Sequence, residues 1–168
     1  MNSTKRLTVC AMTAALGIVV MLLGYGIGIG TYAAPLLVSL FTIPVLREYG
    51  GKYLLMVWLA ISILSFILVR DAEQSMMYAL LFGWYPAARE QLEKLCKPLR
   101  IAAKLLIFNV VTIAMELLLI KLIAPSAESP LLLWALLIVG NAVFLLYDMI
   151  IPRFLLLYEK RFRKHLFK

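Results

Sequence analysis

The sequence from residue 7 to residue 46, LTVCAMTAALGIVVMLLGYGIGIGTYAAPLLVSLFTIPVL, contains no Asp, Glu, Lys, Arg or His. As a single helix rising about 1.5 Å per residue, it would span about 60 Å, twice the roughly 30 Å hydrocarbon core of a bilayer. Its middle, residues 24–30, has glycine at every second position, which weakens a helix and permits a turn. The stretch therefore predicts two membrane crossings, at about 7–23 and 31–46.

The composition of the whole chain agrees with a membrane location. Its 168 residues are 64% hydrophobic and 15% charged, whereas soluble domains are about 45–50% apolar and about 25% charged. A soluble fold of this size buries only about 70% of its surface and has no room for so much hydrocarbon. A water-soluble enzyme, a disordered tail and a free DNA-binding domain are thereby excluded. We expect one integral membrane domain over residues 1–168.

Four further apolar segments follow, and polar residues separate them. They cover 53–69, 75–88, 101–124 and 131–151. Between segments 75–88 and 101–124, residues 87–100 predict a cytoplasmic amphipathic helix. Arg89/Glu93 and Glu93/Lys97 are spaced as i,i+4 ion pairs within it. The predicted fold is an all-α bundle of six transmembrane helices, with a basic C-terminal helical extension.

The basic residues indicate one orientation for this bundle. With the N-terminus inside, six crossings place fifteen of the seventeen Lys and Arg on the inner side and leave Arg70 and Lys121 outside. Basic residues concentrate on the cytoplasmic side, so both termini are expected there. If the second and fourth segments lay in the interface instead, the division would still be 14 to 3. The net charge of +8 is therefore attributed to basic flanks rather than to nucleic-acid binding.

The chain has no motif of a catalytic or nucleotide-binding site. The patterns G-x-x-x-x-G-K-[ST], H-E-x-x-H and G-x-S-x-G are absent from it. One histidine and two cysteines are too few for a usual zinc site. We expect no catalytic residue, no metal and no cofactor. A small enzyme of lipid metabolism would require carboxylates clustered in one cavity.

Two small residues mark the inner end of the first helix. Ala11 and Ala15 are four apart and share a helix face. Small residues at this spacing let another helix approach closely, and such packing drives helix association in lipid. The approaching helix belongs either to the same bundle or to a separate subunit.

In its architecture the chain resembles the substrate-binding S component of energy-coupling factor (ECF) transporters. The resemblance rests on a basic N-terminus, Ala11-x-x-x-Ala15 in the first helix, and six helices with both termini inside. It implies a multi-pass protein of a prokaryotic cytoplasmic membrane that captures a small molecule at the outer face. It also implies that Ala11 and Ala15 face a coupling transmembrane subunit joined to cytoplasmic ATPases, which would supply the missing ATPase motif. No substrate class is indicated.

Polar side chains in the outer half are the candidate substrate ligands. Glu116 lies about eight residues, or ~12 Å, below the outer end of its helix. A carboxylate in hydrocarbon costs several kcal/mol unless it is paired or hydrated, so it is expected to face the bundle interior or a cavity. The candidate ligands are Tyr25, Tyr32, Arg70, Glu73, Glu116, Trp134 and Asn141. The alternatives are an internal network, for example Glu116 with Asn141 or Arg70, and interfacial anchoring by the two tyrosines.

The inner side has its own charged groups. Asp148 is expected to pair locally with Arg153. The tail that follows, 153–168, contains six Lys or Arg and one Glu among apolar residues. It is expected to extend the sixth helix and to lie against anionic lipid.

A second functional interpretation is a non-transporting membrane scaffold, similar to the cell-shape protein MreD. Such proteins are also small and six-helical. In a scaffold the polar outer groups would bond one another and enclose no cavity.

Overall fold

The computed structural model describes the backbone of residues 3–28, 30–122 and 130–162, and the side chains of residues 4–28, 30–118 and 137–160. Within these ranges the chain is helical apart from short connections and has no strand, which confirms the all-α prediction. The helices are α1 (Ser3–Ile27), α2 (Gly30–Tyr49), α3 (Gly51–Leu68), α4 (Ala72–Met77), α5 (Tyr85–Leu92), α6 (Lys97–Leu122) and α7 (Pro130–Leu157). Two short π-helices, π1 (Tyr78–Phe82) and π2 (Tyr158–Phe162), continue α4 and α7.

Five of the described helices are long and apolar enough to cross a bilayer. They are α1, α2, α3, α6 and α7, and the mean hydropathy of their most apolar windows runs from 1.3 in α2 to 2.3 in α1. Large apolar side chains on their outward faces are exposed, such as Met12, Ile67 and Leu106. Soluble monomers do not expose continuous apolar surface of this extent. The molecule therefore has the surface of a helical membrane protein.

The predicted fourth segment, 75–88, has a different form in the structure. α4 and π1 carry the chain to Phe82, a turn follows at 83–84, and α5 then continues to Leu92. Gln74, Tyr78 and Tyr85 in this path are fully buried. Protein rather than lipid surrounds the segment, so its sequence tolerates polar residues that a lipid-facing helix would not. A helix from 72 to 92 would be about 30 Å long.

The prediction of one amphipathic helix over 87–100 is wrong, because the chain turns at 93–96. The pair Arg89–Glu93 is present, with 3.0 Å between Nη2 and Oε1. Lys97, however, is the first residue of α6, so Glu93 and Lys97 do not share a helix. The Glu93 carboxylate is therefore turned toward α6, where other basic side chains form ion pairs with it.

The turn between the first two helices is shorter than predicted. α1 continues to Ile27 rather than ending near residue 23. Gly28 turns the chain with φ +73°, a conformation that favours glycine. A Cβ built on Gly30 would lie 2.2 Å from the Cα of Gly24, so the backbones of α1 and α2 cross almost in contact. Glycine at both positions makes this close hairpin possible.

The last helix extends beyond the predicted end at residue 151. α7 reaches Leu157, and π2 carries the chain to Phe162. The predicted helical extension into the basic tail is thus present as far as Phe162. The remaining tail, 163–168, lies outside the described residues.

Two buried clusters form the core, and α2 and the α4–π1 segment contribute to both. The first joins α1, α2 and α3 through residues such as Met21, Val38 and Ile61. The second is aromatic, and Phe108 of α6 stacks on Phe144 of α7 with ring centroids 4.8 Å apart. α2 is the most buried of the five long helices, because it packs in the middle of the bundle.

Candidate functional site

The two ends of the bundle differ in their side chains. At one end, which we call the basic end, Arg47 of α2 meets Glu159 of π2, with 3.3 Å between Nη2 and Oε1. The start of α6 also lies at this end. The opposite end holds the Gly28 turn and the break between α3 and α4. Polar clusters lie near both ends.

At the opposite end, two predicted ligands bond to each other. The Tyr32 hydroxyl donates a hydrogen bond to Glu73 Oε1. Beside this pair, Thr31 Oγ1 donates to Asp71 Oδ2 over 2.8 Å. Asp71 also caps α4, because its Oδ1 accepts from the backbone N–H of Gln74 over 3.1 Å. These bonds tie the start of α2 to the start of α4.

An apolar cavity of about 160 Å³ adjoins the Tyr32–Glu73 pair. It is lined by Tyr32, Met77, Phe82, Phe108, Thr112, Val139, Gly140, Val143 and Phe144. α2, α4, π1, α6 and α7 all contribute to its walls. A cavity of about 150 Å³ is large enough to hold benzene. This cavity can therefore hold one ring or a short branched chain.

One wall of the cavity has an unpaired hydroxyl group. Thr112 is 1% exposed, and its Oγ1 has no hydrogen-bond partner among the described residues. A buried hydroxyl without a partner is energetically unfavourable and calls for an explanation. A polar atom of a bound molecule would satisfy it. Tyr32 and Thr112 are the polar side chains of an otherwise apolar lining.

Glu116 lies one helical turn beyond Thr112 on α6 and is buried, being 8% exposed. This agrees with the expectation that its carboxylate faces the interior. Asn141, expected at a similar depth, bonds instead to Asn109. Asn141 Nδ2 donates to Asn109 Oδ1 over 2.8 Å, and Asn109 Nδ2 donates to Asn141 Oδ1 over 3.1 Å. Asn141 Nδ2 also donates to the carbonyl of Leu137 over 2.7 Å. Asn141 therefore links α7 to α6 and does not line the cavity.

The other predicted ligands do not line the cavity, or fall outside the described side chains. Tyr25 is 45% exposed near the end of α1, where anchoring at an interface explains it. Arg70 is exposed in the connection before α4 and makes no ion pair with a described residue. The side chain of Trp134 is outside the part of the chain whose side chains are described.

The small-residue face of α1 points away from the bundle. Ala11 and Ala15 are both exposed. Cys10 and Ile18 of the same helix are buried against α2 and α3. Within the described residues, the alanine pair is therefore not used for packing inside this chain.

A network of ion pairs occupies the basic end, and its centre is Lys104. The Lys104 side chain is only 3% exposed. Its Nζ donates to Glu93 Oε1 over 2.7 Å and to Asp148 Oδ2 over 2.6 Å. Asp148 Oδ1 also accepts bonds from Arg89 Nε over 2.8 Å and from the Tyr85 hydroxyl over 2.7 Å. The network thereby ties α5, α6 and α7 together.

The expected Asp148–Arg153 pair is wrong. Asp148 is saturated by groups from α5 and α6, whereas Arg153 makes no ion pair with a described residue. Residues five apart on a helix are offset around its axis, so Arg153 is exposed while Asp148 is turned toward α5 and α6. The network is not predicted by the sequence pattern, although Lys104 and Asp148 are ionisable residues within apolar segments, which is the signal that could have indicated it.

Glu93 has three basic neighbours. Besides Lys104 and Arg89, Arg100 Nη1 donates to its Oε2 over 2.5 Å. The hydrogen bond from Lys104, supported by the charges of Arg89 and Arg100, holds the pKa of Glu93 below its ordinary value of 4.5. Glu93 therefore stays ionised at neutral pH. Within the described part of the chain, no group of three His, Cys, Asp or Glu side chains could hold a metal ion.

No protein-family model matches the chain, and neither a curated protein nor a solved structure matches it. A function is therefore inferred from the cavity, the exposed faces and the charges of the molecule itself.

Proposed function

We propose that this protein binds a small molecule from the outer side of a prokaryotic cytoplasmic membrane, as the substrate-binding subunit of an ECF-type importer. The observation that carries the proposal is the cavity beside Tyr32, which is also lined by Thr112, whose hydroxyl has no hydrogen-bond partner among the described residues. Ligand sites are mostly apolar concavities with a few placed polar groups, and this cavity has that character. Its volume suits a ligand whose buried part is a single ring or a short chain.

The proposal includes six crossings with both termini in the cytoplasm. Fifteen basic residues then lie on the inner side, as membrane insertion favours. Five of the crossings are the long helices, and the remaining one, fourth in chain order, is the buried path 72–92, which is about 30 Å long as a helix. In this orientation the basic end is cytoplasmic, and Tyr32 lies toward the outer face.

The exposed alanine face of α1 supports a role in a larger assembly. Ala11 and Ala15 lie toward the basic end, where a coupling subunit would contact cytoplasmic ATPases. Because neither alanine packs against the described part of the chain, their face is free for a helix of another subunit. The chain itself has no ATPase motif, so energy would come from such partners.

Binding is tested by extracting the protein gently from its native membrane and looking for a retained small molecule by native mass spectrometry. We expect Val143→Phe, which enlarges a side chain of the cavity lining, to lose the molecule. The matched control is Val110→Phe, an exposed position on α6 that does not line the cavity. A molecule retained equally by both variants would place the binding site elsewhere.

Coupling is tested by purification from native membranes under mild conditions. We expect the wild-type chain to bring with it a membrane subunit and ATPases, and the complex to hydrolyse ATP. Ala11→Trp combined with Ala15→Trp should disrupt the complex. Met12→Trp, at an exposed position on a neighbouring face, should leave it intact. A complex that survives both alanine substitutions would remove the coupling role.

A non-transporting scaffold similar to MreD is the second candidate, and the internal bonding of polar groups favours it. Tyr32–Glu73, Thr31–Asp71 and Asn109–Asn141 are all side-chain pairs within the chain. A scaffold needs such bonds and needs no ligand. Under this alternative no small molecule is retained, and Val143→Phe in the cavity lining causes no loss of function.

A further inference from the structure

A second concavity, a cleft of about 480 Å³, lies at the basic end between the start of α6 and the end of α7. Its charged lining consists of Arg89, Glu93, Arg100, Lys104, Asp148 and Arg153. Four cations thus face two carboxylates, and the cleft has an excess of positive charge. The ion pairs described above do not remove this excess, because each carboxylate is already shared between cations.

Several donors in the cleft remain available. A lysine ammonium group has three N–H donors, and Lys104 uses two of them on Glu93 and Asp148. Arg100 donates one bond, from Nη1 to Glu93, and an arginine has five donors. Arg153 is exposed and makes no ion pair with a described residue. These donors suit the oxygens of a phosphate group.

The rest of the cleft is apolar and faces outward. Ile101 is 49% exposed and Met149 is 53% exposed, and both line the cleft together with Leu145 and Pro152. These side chains belong to the same apolar surface that marks α6 and α7 as membrane helices. Free phosphate would occupy only the charged part of the cleft and would make no contact with this apolar wall. A molecule with an anionic head and hydrocarbon chains would cover both parts.

We propose that this cleft binds the phosphate headgroup of an anionic phospholipid, with the acyl chains against Ile101, Leu145 and Met149. Basic pockets between transmembrane helices on the cytoplasmic side are known to hold such headgroups. The lipid fills the gap between α6 and α7 at the level of the ion-pair network and adds an anion to its surplus of cations. This inference does not depend on the transport function.

The test uses the full chain in detergent, titrated with phosphatidylglycerol or with phosphatidylcholine of the same acyl chains and followed by native mass spectrometry. We expect one phosphatidylglycerol to bind in preference to phosphatidylcholine. Arg100→Gln and Arg153→Gln should each weaken that binding about fivefold. Lys160→Gln removes the same charge from an exposed position outside the cleft and should leave the affinity unchanged.

Three results would overturn the proposal. One is an equal loss of affinity in Lys160→Gln and Arg153→Gln, which would show general surface attraction. Another is equal binding of the two lipids. The third is displacement of phosphatidylglycerol by an equimolar amount of inorganic phosphate, which would identify a soluble anion as the ligand. Arg153 makes no ion pair with any side chain that the structure describes, so an unchanged melting temperature of Arg153→Gln separates lost binding from lost folding.

Discussion

Lys104 places an ammonium group in a buried environment, which a charged group does not prefer. A buried ammonium group is tolerated only when it is paired and hydrogen-bonded, and two carboxylates meet this requirement here. Its removal would also leave Glu93 and Asp148 with one cationic partner fewer. The stability of the basic end therefore depends on this single side chain more than on any exposed ion pair.

We predict that Lys104→Met lowers the free energy of unfolding by about 3–5 kcal/mol, the range for breaking a buried ion pair. The measurement is reversible unfolding in mixed micelles with increasing denaturing detergent. Lys94→Met is the control, because Lys94 is exposed in the turn at 93–96. Equal unfolding curves for the two variants would contradict the assigned role of Lys104.

Glu93 adds a pH dependence to the same network. Its pKa is lower in the folded chain than in the unfolded chain, so its stabilising contribution is fully present above the ordinary value of 4.5. That contribution is lost as the pH falls through the lower, folded pKa. We predict that wild-type melting temperatures in detergent drop below pH 4.5, and that Glu93→Gln, less stable at neutral pH, shows a smaller drop. Parallel pH profiles would exclude this origin.

At the level of elements, the α1–α2 hairpin depends on the close approach of two glycines. A Cβ on Gly30 would lie 2.2 Å from the Cα of Gly24, a backbone atom that cannot rotate away. The helices would have to separate, and the contacts of Met21 and Val38 in the core would loosen with them. Packing of α1 on α2 is therefore more sensitive to this position than to the exposed glycines nearby.

We predict that Gly30→Ala destabilises the protein by about 1–3 kcal/mol, as overpacking does. Gly26→Ala is the matched control, since nothing lies within 4 Å of a Cβ at that position, and alanine favours a helix more than glycine does. The comparison is made by thermal unfolding in the same detergent. A Gly30→Ala variant as stable as Gly26→Ala would show that the hairpin is looser than described.

The α4–π1–α5 path shows why one element was difficult to recognise from sequence. Gln74 is fully buried, and its Nε2 donates to the carbonyl of Met21 over 2.9 Å. Trp58 Nε1 donates to the carbonyl of Ala79 in π1 over 3.0 Å. These two bonds join the segment to α1 and α3, and its burial among helices rather than lipid removes the need for an uninterrupted apolar sequence. High mean hydropathy marks helices that face lipid, whereas the α4–π1–α5 path faces protein.

For the whole molecule, the number of crossings decides on which side of the membrane the ends lie. Six crossings place Lys5 and Lys160 on one side, whereas five, with 72–92 not crossing, place them on opposite sides. The contact between Arg47, near the end of α2, and Glu159 in π2 shows that these two helix ends lie at the same end of the bundle, the basic end. Sidedness therefore tests the architecture and the charge argument together.

We predict that cysteines introduced as Lys5→Cys and Lys160→Cys, in a background without Cys10 and Cys96, react with an impermeant maleimide only after the membrane is opened. Gly26→Cys, at the opposite end, should react in intact cells. Labelling of Lys160→Cys but not Lys5→Cys in intact cells would mean five crossings and would end the proposed orientation.

The linear sequence by itself determined the helical class, the preference of the long apolar stretches for a membrane, and the concentration of basic residues in a few of the segments that join them. These properties follow from local composition, because the hydrophobicity and charge of a residue do not depend on which residues lie beside it in the folded chain. Only the tertiary structure decided that Asp148 pairs with Lys104 and Arg89, that Asn141 pairs with Asn109, and that Tyr32 and Thr112 share a cavity. Such contacts depend on how each helix is rotated and packed against the others, and the sequence of one helix carries no direct record of the face its neighbour presents.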